Sequence, residues 1–152
     1  ETAIEALDYL LGSREVGENV AVIGGGLTGC EIAYDLYLKG KHPTIIEMQD
    51  DLITTKGICL ANTSYLRDFF KTNKVPVFLE TSLSQIKSGS VELIDKTGNQ
   101  FALPADSVIM SVGYTPAPIA AKGKHIHVIG DAAKVGNLRT VIWGAWDVCM
   151  KL

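Results

Sequence analysis

The sequence predicts an α/β fold: a parallel sheet flanked by helices, with a three-stranded antiparallel β-meander built into one crossover. Three observations carry this. Short apolar runs at 20–23, 44–46, 75–79 and 107–112 read as strands buried on both faces, without the in-and-out alternation of a half-wet sheet. Between the first three runs, Ile32, Leu36 and Tyr37, and then Leu60, Tyr65, Leu66, Phe69 and Phe70, fall at helical spacing. From 82 to 103 the pattern turns half-polar. It is interrupted by Lys87-Ser88-Gly89 and Lys96-Thr97-Gly98-Asn99, which fit hairpin turns.

The chain opens at Glu1 without an initiator Met, as expected of a piece of a longer protein. Ile4, Leu7, Leu10 and Leu11 predict a helix over 2–12 that ends at Gly12, followed by a polar turn from Arg14 to Asn19. The strand Val20-Ala21-Val22-Ile23 then stops at Gly24-x-Gly26-x-x-Gly29, and a helix over 27–38 follows at once. Each glycine in such a strand–turn–helix has its own reason. Gly24 makes the tight turn, Gly26 lets a pyrophosphate approach the backbone, and Gly29 lets helix pack closely on strand. The phosphates are then expected over Gly24, Gly25, Gly26, Leu27, Thr28 and Gly29, at a helix N-terminus whose N–H groups and dipole favour anions. The competing reading is a glycine-rich turn.

The helix closes at Lys39-Gly40-Lys41, and a second strand over 43–47 ends at Glu47. A ribose-binding acid is expected roughly twenty residues past such glycines, which is about where Glu47 stands. Its carboxylate can accept both adenosine ribose hydroxyls and repels a 2′-phosphate, so NAD(H) is expected over NADP(H). The polar loop Gln49-Asp50-Asp51 leads to a helix over 57–72, a strand over 75–79, and meander strands over 82–87, 90–95 and 100–103. A buried strand over 107–112 ends at Gly113. Tyr114 to Pro118 is extended, because a residue before proline is pushed out of the helical region. A short strand over 126–129 ends at Gly130-Asp131, and a last helix over 139–150 starts from Asn137.

With 152 residues the chain can bury a substantial core. A net charge of −3 without any basic run argues against nucleic acid and anionic membranes as partners. No apolar stretch reaches membrane-spanning length and no signal-peptide pattern opens the chain, so cytoplasm is the expected location. Cys30, Cys59 and Cys149 are far apart with no C-x-x-C pair, and read as small buried hydrophobes rather than a metal site, cluster or dithiol. His42, His125 and His127 show no ligand pattern, so no metal-binding residues are expected.

The order of these pieces resembles the pyridine nucleotide–disulfide reductase-like flavoproteins, which use two dinucleotide-binding domains and share this Rossmann-like FAD/NAD(P)-binding architecture. Three motifs carry the resemblance: Val22-Ile23-Gly24-Gly25-Gly26-Leu27-Thr28-Gly29-Cys30-Glu31-Ile32-Ala33, then Val108-Ile109-Met110-Ser111-Val112-Gly113-Tyr114-Thr115-Pro116, then His127-Val128-Ile129-Gly130-Asp131-Ala132. In that family the first cradles NAD(P)H. The second, which carries Gly113, returns from the NAD domain to the FAD domain. The third puts an Asp, here Asp131 after Gly130, on the ribityl-phosphate side of FAD. Thr28-Gly29-Cys30-Glu31 and the segment Gly136 to Asp147 look like the C-terminal half of a 2-enoate or 2,4-dienoyl-CoA reductase.

That resemblance implies a parent with an FMN barrel, an iron–sulfur cluster, an FAD domain and an inserted NAD(P)H domain. The FAD glycine motif and the cluster cysteines are absent from this sequence. Residues 1–116 are therefore expected to be the NAD(P)H-binding domain with its lead-in helix, and 117–152 the C-terminal remnant of the FAD domain. The partners implied are the dinucleotide and the remaining FAD and FMN domains, with a homo-oligomer left open.

Glu31 is either an exposed helix charge or, as in the family, close to where nicotinamide meets flavin. Glu47 is either a strand-end charge or the ribose acceptor, and Asp131 either a turn residue or an FAD contact. Trp143 and Trp146 read as packing residues that, without the rest of the FAD domain, leave an apolar face exposed. The resulting expectation is an NADH-binding part of a flavin-dependent oxidoreductase, with no catalytic acid or base of its own. Hydride transfer needs positioning more than proton chemistry. A non-catalytic NAD sensor and, less well, a methyltransferase are the alternatives. The sensor has no need of the 111–131 segment, and a methyltransferase commonly carries an acid where Val22-Ile23 stand.

Overall fold

The computed structural model describes residues 3–55 and 57–152; Thr2, at the start of the expected first helix, lies outside them. Two compact units divide the chain, Glu1–Val112 and Gly113–Leu152. The first is built on five parallel strands in the order β1-β8-β2-β3-β4. These are β1 (Ala3–Glu5), β2 (Asn19–Ile23), β3 (His42–Ile46), β4 (Val77–Phe78) and β8 (Ser107–Met110). A separate antiparallel sheet is the expected meander, in the order β5 (Thr81–Lys87), β6 (Ser90–Asp95) and β7 (Gln100–Pro104).

The central strand shows why the apolar runs do not alternate. Val20 and Val22 face one side of the sheet, while Ala21 and Ile23 face the other, and all four are buried. The first side is covered by helices α2 (Leu27–Leu38) and α3 (Leu60–Thr72), with Cys30, Ile32, Ala33, Leu36, Leu66 and Phe70 packed on Val20, Val22, Ile45 and Ile109. The second side is covered by the meander, where Val91 and Leu93 pack on Ala21, Ile23, Ile46 and Val108. Each fully buried Val, Leu or Ile is worth about 1.5–3 kcal/mol. Exposed ion pairs such as Lys39–Asp35, at 2.7 Å, add less than about 1 kcal/mol. Burial on both faces decides this fold.

The opening of the chain departs from expectation. Ala3-Ile4-Glu5 is an edge strand with only Ile4 turned inward, and Ile4 pairs with Ile109 of β8. Helix α1 is confined to Ala6–Leu10, and Leu7, Leu10 and Leu11 are exposed. Helical spacing misled here because the partner strand lies far along the sequence. Two further elements are shorter than predicted: α3 begins at Leu60, and β4 is only Val77–Phe78. Of the apolar stripe on α3, Leu66 and Phe70 are buried, whereas Leu60 and Tyr65 are exposed. The cysteines also split. Cys30 is buried as expected, but Cys59 and Cys149 are exposed.

The second unit carries a 3-10 turn at Gly130–Ala132 and helix α4 (Leu138–Cys149). No strand forms over 126–129; Ile126 instead makes a single antiparallel bridge back to Gly123. A short apolar run forms a strand only where another strand lies alongside, and within this unit none does among the described residues. Asn137 starts α4 as predicted, through a capping box in which it accepts from Thr140 N at 3.1 Å and donates its own N–H to Thr140 Oγ1 at 2.9 Å. Trp143 and Trp146 stand largely exposed beside Leu138, Ile142 and Met150.

Candidate functional site

The glycine loop sits where the sheet's strand order reverses. From β2 the chain steps outward to β3 and β4, and β8 later fills the other side of β2. Ligands of open α/β sheets bind in the crevice at the carboxyl ends of the strands beside such a reversal. Gly24 leaves β2 with φ of 106°, and its N–H donates to Ile46 O at 2.8 Å. A Cβ on Gly24 would collide with the Ser111 backbone oxygen, and one on Gly29 with the Gly24 carbonyl. These two positions accept only glycine, one for its turn and both for close approach.

Gly26 differs from its neighbours. Apart from the adjoining backbone, no protein atom lies within 4 Å of where its Cβ would be, and its φ of −67° suits any residue. Its freedom from a side chain therefore keeps the outer side of the loop open. Gly26 is also the N-cap of α2; no side chain caps this end, and no acidic residue stands in the first turn. The first N–H groups of a helix have no acceptor within it. The N-terminus at Leu27, Thr28 and Gly29 thus presents donors and a positive dipole end, an arrangement that attracts an anion.

Gly25 is the knot of the loop, and both of its main-chain polar groups are taken inside the protein. Its N–H donates to Glu47 Oε2 at 2.5 Å. Its carbonyl accepts from Ile53 N at 2.8 Å and from Cys30 Sγ at 3.4 Å. The register explains the first contact: Ile23 pairs with Ile46, so Glu47 follows directly beside the loop. Glu47 is buried, and its Oε1 accepts a second bond from Gln49 N at 2.8 Å. A Cβ on Gly25 would lie 2.5 Å from Leu52 Cδ2 and 3.0 Å from Glu47 Cβ. Burial pushes the Cys30 thiol up to about 12, with the Glu47 carboxylate adding to the rise. It is a packed, unreactive thiol.

Of the residues singled out in the sequence, the structure gathers Gly24, Gly25, Gly26, Leu27, Thr28, Gly29 and Glu47 at the carboxyl ends of β2 and β3. Glu31 is exposed on α2 beyond its first turn. Gly113, Gly130 and Asp131 belong to the second unit. There Gly130 opens the 3-10 turn, and exposed Asp131 accepts from Gly136 N at 3.0 Å, closing the loop before α4. Among the described residues, no group of His, Cys, Asp or Glu could hold a metal ion. No helix described is long and apolar enough to cross a membrane.

Sequence reasoning missed four contributors. Ser111 backs Gly24 and Gly29, and a lone Ser near the end of an apolar strand was its signal. Leu52 and Ile53 close on Gly25 from the loop after β3, and their signal was an apolar pair directly behind three polar residues. Arg67 of α3 bonds the Leu52 carbonyl. Its hydrogen-bond acceptors are backbone and its ion pair with Asp51 crosses an irregular loop, so nothing in the spacing marked it. Two surface hollows lie elsewhere on this unit. One of about 380 Å³ is lined by Asn19, Lys41, His42 and Lys74 at the opposite ends of the strands, and one of about 420 Å³ lies by Asp51, Arg67 and Leu79. Neither includes a loop glycine.

Comparison with known proteins gives a consistent result. Residues 4–142 match the family described as pyridine nucleotide-disulphide oxidoreductase. The chain is 35% identical over 153 residues to a cinnamate reductase of Clostridium sporogenes, covering 97% of this chain and 23% of that protein. It is 30% identical over 158 residues to an NADH oxidase of Thermoanaerobacter brockii, covering 97% of this chain and 24% of that protein. Among solved structures, a 2-naphthoyl-CoA reductase superposes with a TM-score of 0.85 at 22% identity, over 100% of this chain and 24% of that one. Histamine dehydrogenase from Rhizobium sp. 4-9 gives 0.79 at 16% identity, over 99% and 26%. The chain spans about a quarter of the length of these proteins.

Proposed function

The chain belongs to the pyridine nucleotide-disulphide oxidoreductase family, and from that premise we propose that residues 1–116 bind NADH within a longer flavin-dependent oxidoreductase resembling an enoate reductase. The single observation that carries the reading is the open glycine loop: an uncapped α2 N-terminus beside Gly26, with Glu47 at the end of the neighbouring strand. The residues fit a dinucleotide. The empty space at Gly26 admits a pyrophosphate, and the N–H groups of Leu27, Thr28 and Gly29 receive it. When bound, the nicotinamide supplies a hydride for a flavin held elsewhere in the parent.

Each residue then has a defined part. Gly24 and Gly29 shape the turn, and Gly25 fixes the loop from within, since its polar groups are already used. Glu47 keeps lone pairs beyond its two backbone donors. With them it accepts the adenosine ribose hydroxyls and disfavours a 2′-phosphate. Glu31 lies on the side where nicotinamide meets flavin. Gly113 follows the strand that returns toward the FAD domain, and Gly130 and Asp131, with residues 117–152, serve FAD in the parent. FMN and an iron–sulfur cluster belong to parts of the parent outside this chain. The protein's own contribution is positioning and exclusion of water.

Membership in this family stands against the methyltransferase alternative. Calorimetric titration of the chain with NADH, NADPH and S-adenosylmethionine tests the proposal. NADH is expected to bind most tightly. Equal affinity for NADH and NADPH removes the role of Glu47, and no binding of either removes the site.

A further inference from the structure

Arg67 reaches from α3 to the loop that follows β3 and gathers three successive residues. One terminal nitrogen donates to the Leu52 carbonyl, lies 3.5 Å from the Ile53 carbonyl, and pairs with Asp51 at 3.0 Å. Its Nε is buried and has no hydrogen-bond partner, while the side chain as a whole is 32% exposed, so the guanidinium is held half in and half out of the protein. What it holds is unusual. Ile53 has a φ of 51°, a left-handed conformation that a β-branched residue avoids, and it is buried. In that conformation the Ile53 N–H points at Gly25 O, 2.8 Å away, and Leu52 packs on Gly25 beside Glu47. A backbone in so sparse a region persists only where its surroundings hold it there, and such sites cluster at ligand clamps.

We infer that Arg67 is a positioning residue for the dinucleotide. It clamps the Ile53 turn onto Gly25 and so fixes the wall of Leu52 and Glu47 that receives the adenosine end. Arg67 itself touches no ligand in this scheme; it acts through two carbonyls and one amide. The inference rests on the nucleotide reading of the glycine loop, but its mechanical half can be measured without any nucleotide.

The test uses the 152-residue chain with Arg67→Met and Arg67→Lys. Amide hydrogen exchange is followed at Ile53 in the absence of ligand, and binding of NADH, NADPH and ADP-ribose by calorimetry. With Arg67→Met, Ile53 is expected to exchange about tenfold faster or more, while β2 amides keep their protection. NADH and ADP-ribose should weaken together, by about tenfold. Arg67→Lys should recover most of both effects, since an ammonium still donates to a carbonyl. Unchanged Ile53 exchange in a chain that binds NADH overturns the clamp alone. A loss confined to NADPH overturns it in favour of direct contact with a 2′-phosphate, and a loss for NADH but not ADP-ribose overturns the adenosine-end assignment. If the unmodified chain binds no nucleotide, the site reading and the positioning role both fall, whatever Ile53 does.

Discussion

One carboxylate, Glu47, satisfies two backbone N–H groups, so its replacement acts on loop and ligand together. Glu47→Ala leaves the Gly25 N–H without an acceptor, which costs roughly 1–3 kcal/mol. Glu47→Gln keeps an acceptor for one of the two N–H groups and loses the charge. The glutamine variant is therefore expected to narrow the NADH-over-NADPH preference with the smaller drop in thermal midpoint, as calorimetry and melting will show. The glycines separate in the same way. Gly29→Ala drives a methyl into the Gly24 carbonyl and should destabilise by about 1–3 kcal/mol. Gly26→Val enters open space, so it should fold normally and lose NADH; a variant that binds as before means the loop has been misread. Cys30 offers a test by pH. Its thiol titrates at about 12 when folded against 9.0 in the reference state, so unfolding releases a proton between those values. Its contribution is complete below about 9 and lost as pH rises toward 12. Native alkylation should mark Cys59 and Cys149 only, and Cys30→Ala should flatten the alkaline loss of stability. At this scale the sequence pointed to Glu47 and the loop glycines, which the structure places side by side. It hid Arg67 and Ile53, whose contacts with Leu52 and Gly25 run through main-chain atoms that carry no residue signature.

Elements were legible in proportion to how local their causes are. Helix α2, the meander and the start of α4 follow from glycine turns, half-polar alternation and one capping residue, and all three stand where the sequence put them. Ala3–Glu5 and 126–129 failed in opposite directions for one reason. A segment of three or four residues becomes a strand when a partner is beside it and a loop when none is, and partnership is not written locally. The capping box of α4 gives a direct check. Asn137→Ala removes the acceptor for Thr140 N and should cost about 0.5–2 kcal/mol of helix stability, seen as lost ellipticity on heating. The exposed tryptophans of that helix provide a fluorescence probe of the same event.

At the scale of the molecule, the chain matches a family of much longer proteins and carries a single glycine loop of the dinucleotide type. The purified chain should be colourless, bind NADH weakly, and fail to oxidise it after gel filtration without added flavin. Visible flavin absorption in the purified chain would contradict this. The place of β8 has a consequence for how the first unit comes together. Among the described residues it is the last strand to be synthesised, yet it lies between β1 and β2, and the Asn19–Asp106 hydrogen bond beside it spans 87 residues. Until it arrives, β1 has no neighbour and β2 has an open flank. On the ribosome the sheet must therefore wait, half zipped, for its keystone, as slow-folding chains with distant pairings do. A chain interrupted just before Ser107 would expose the bare edge of β2, and the cell would meet it as a substrate for chaperones or as a seed for aggregation.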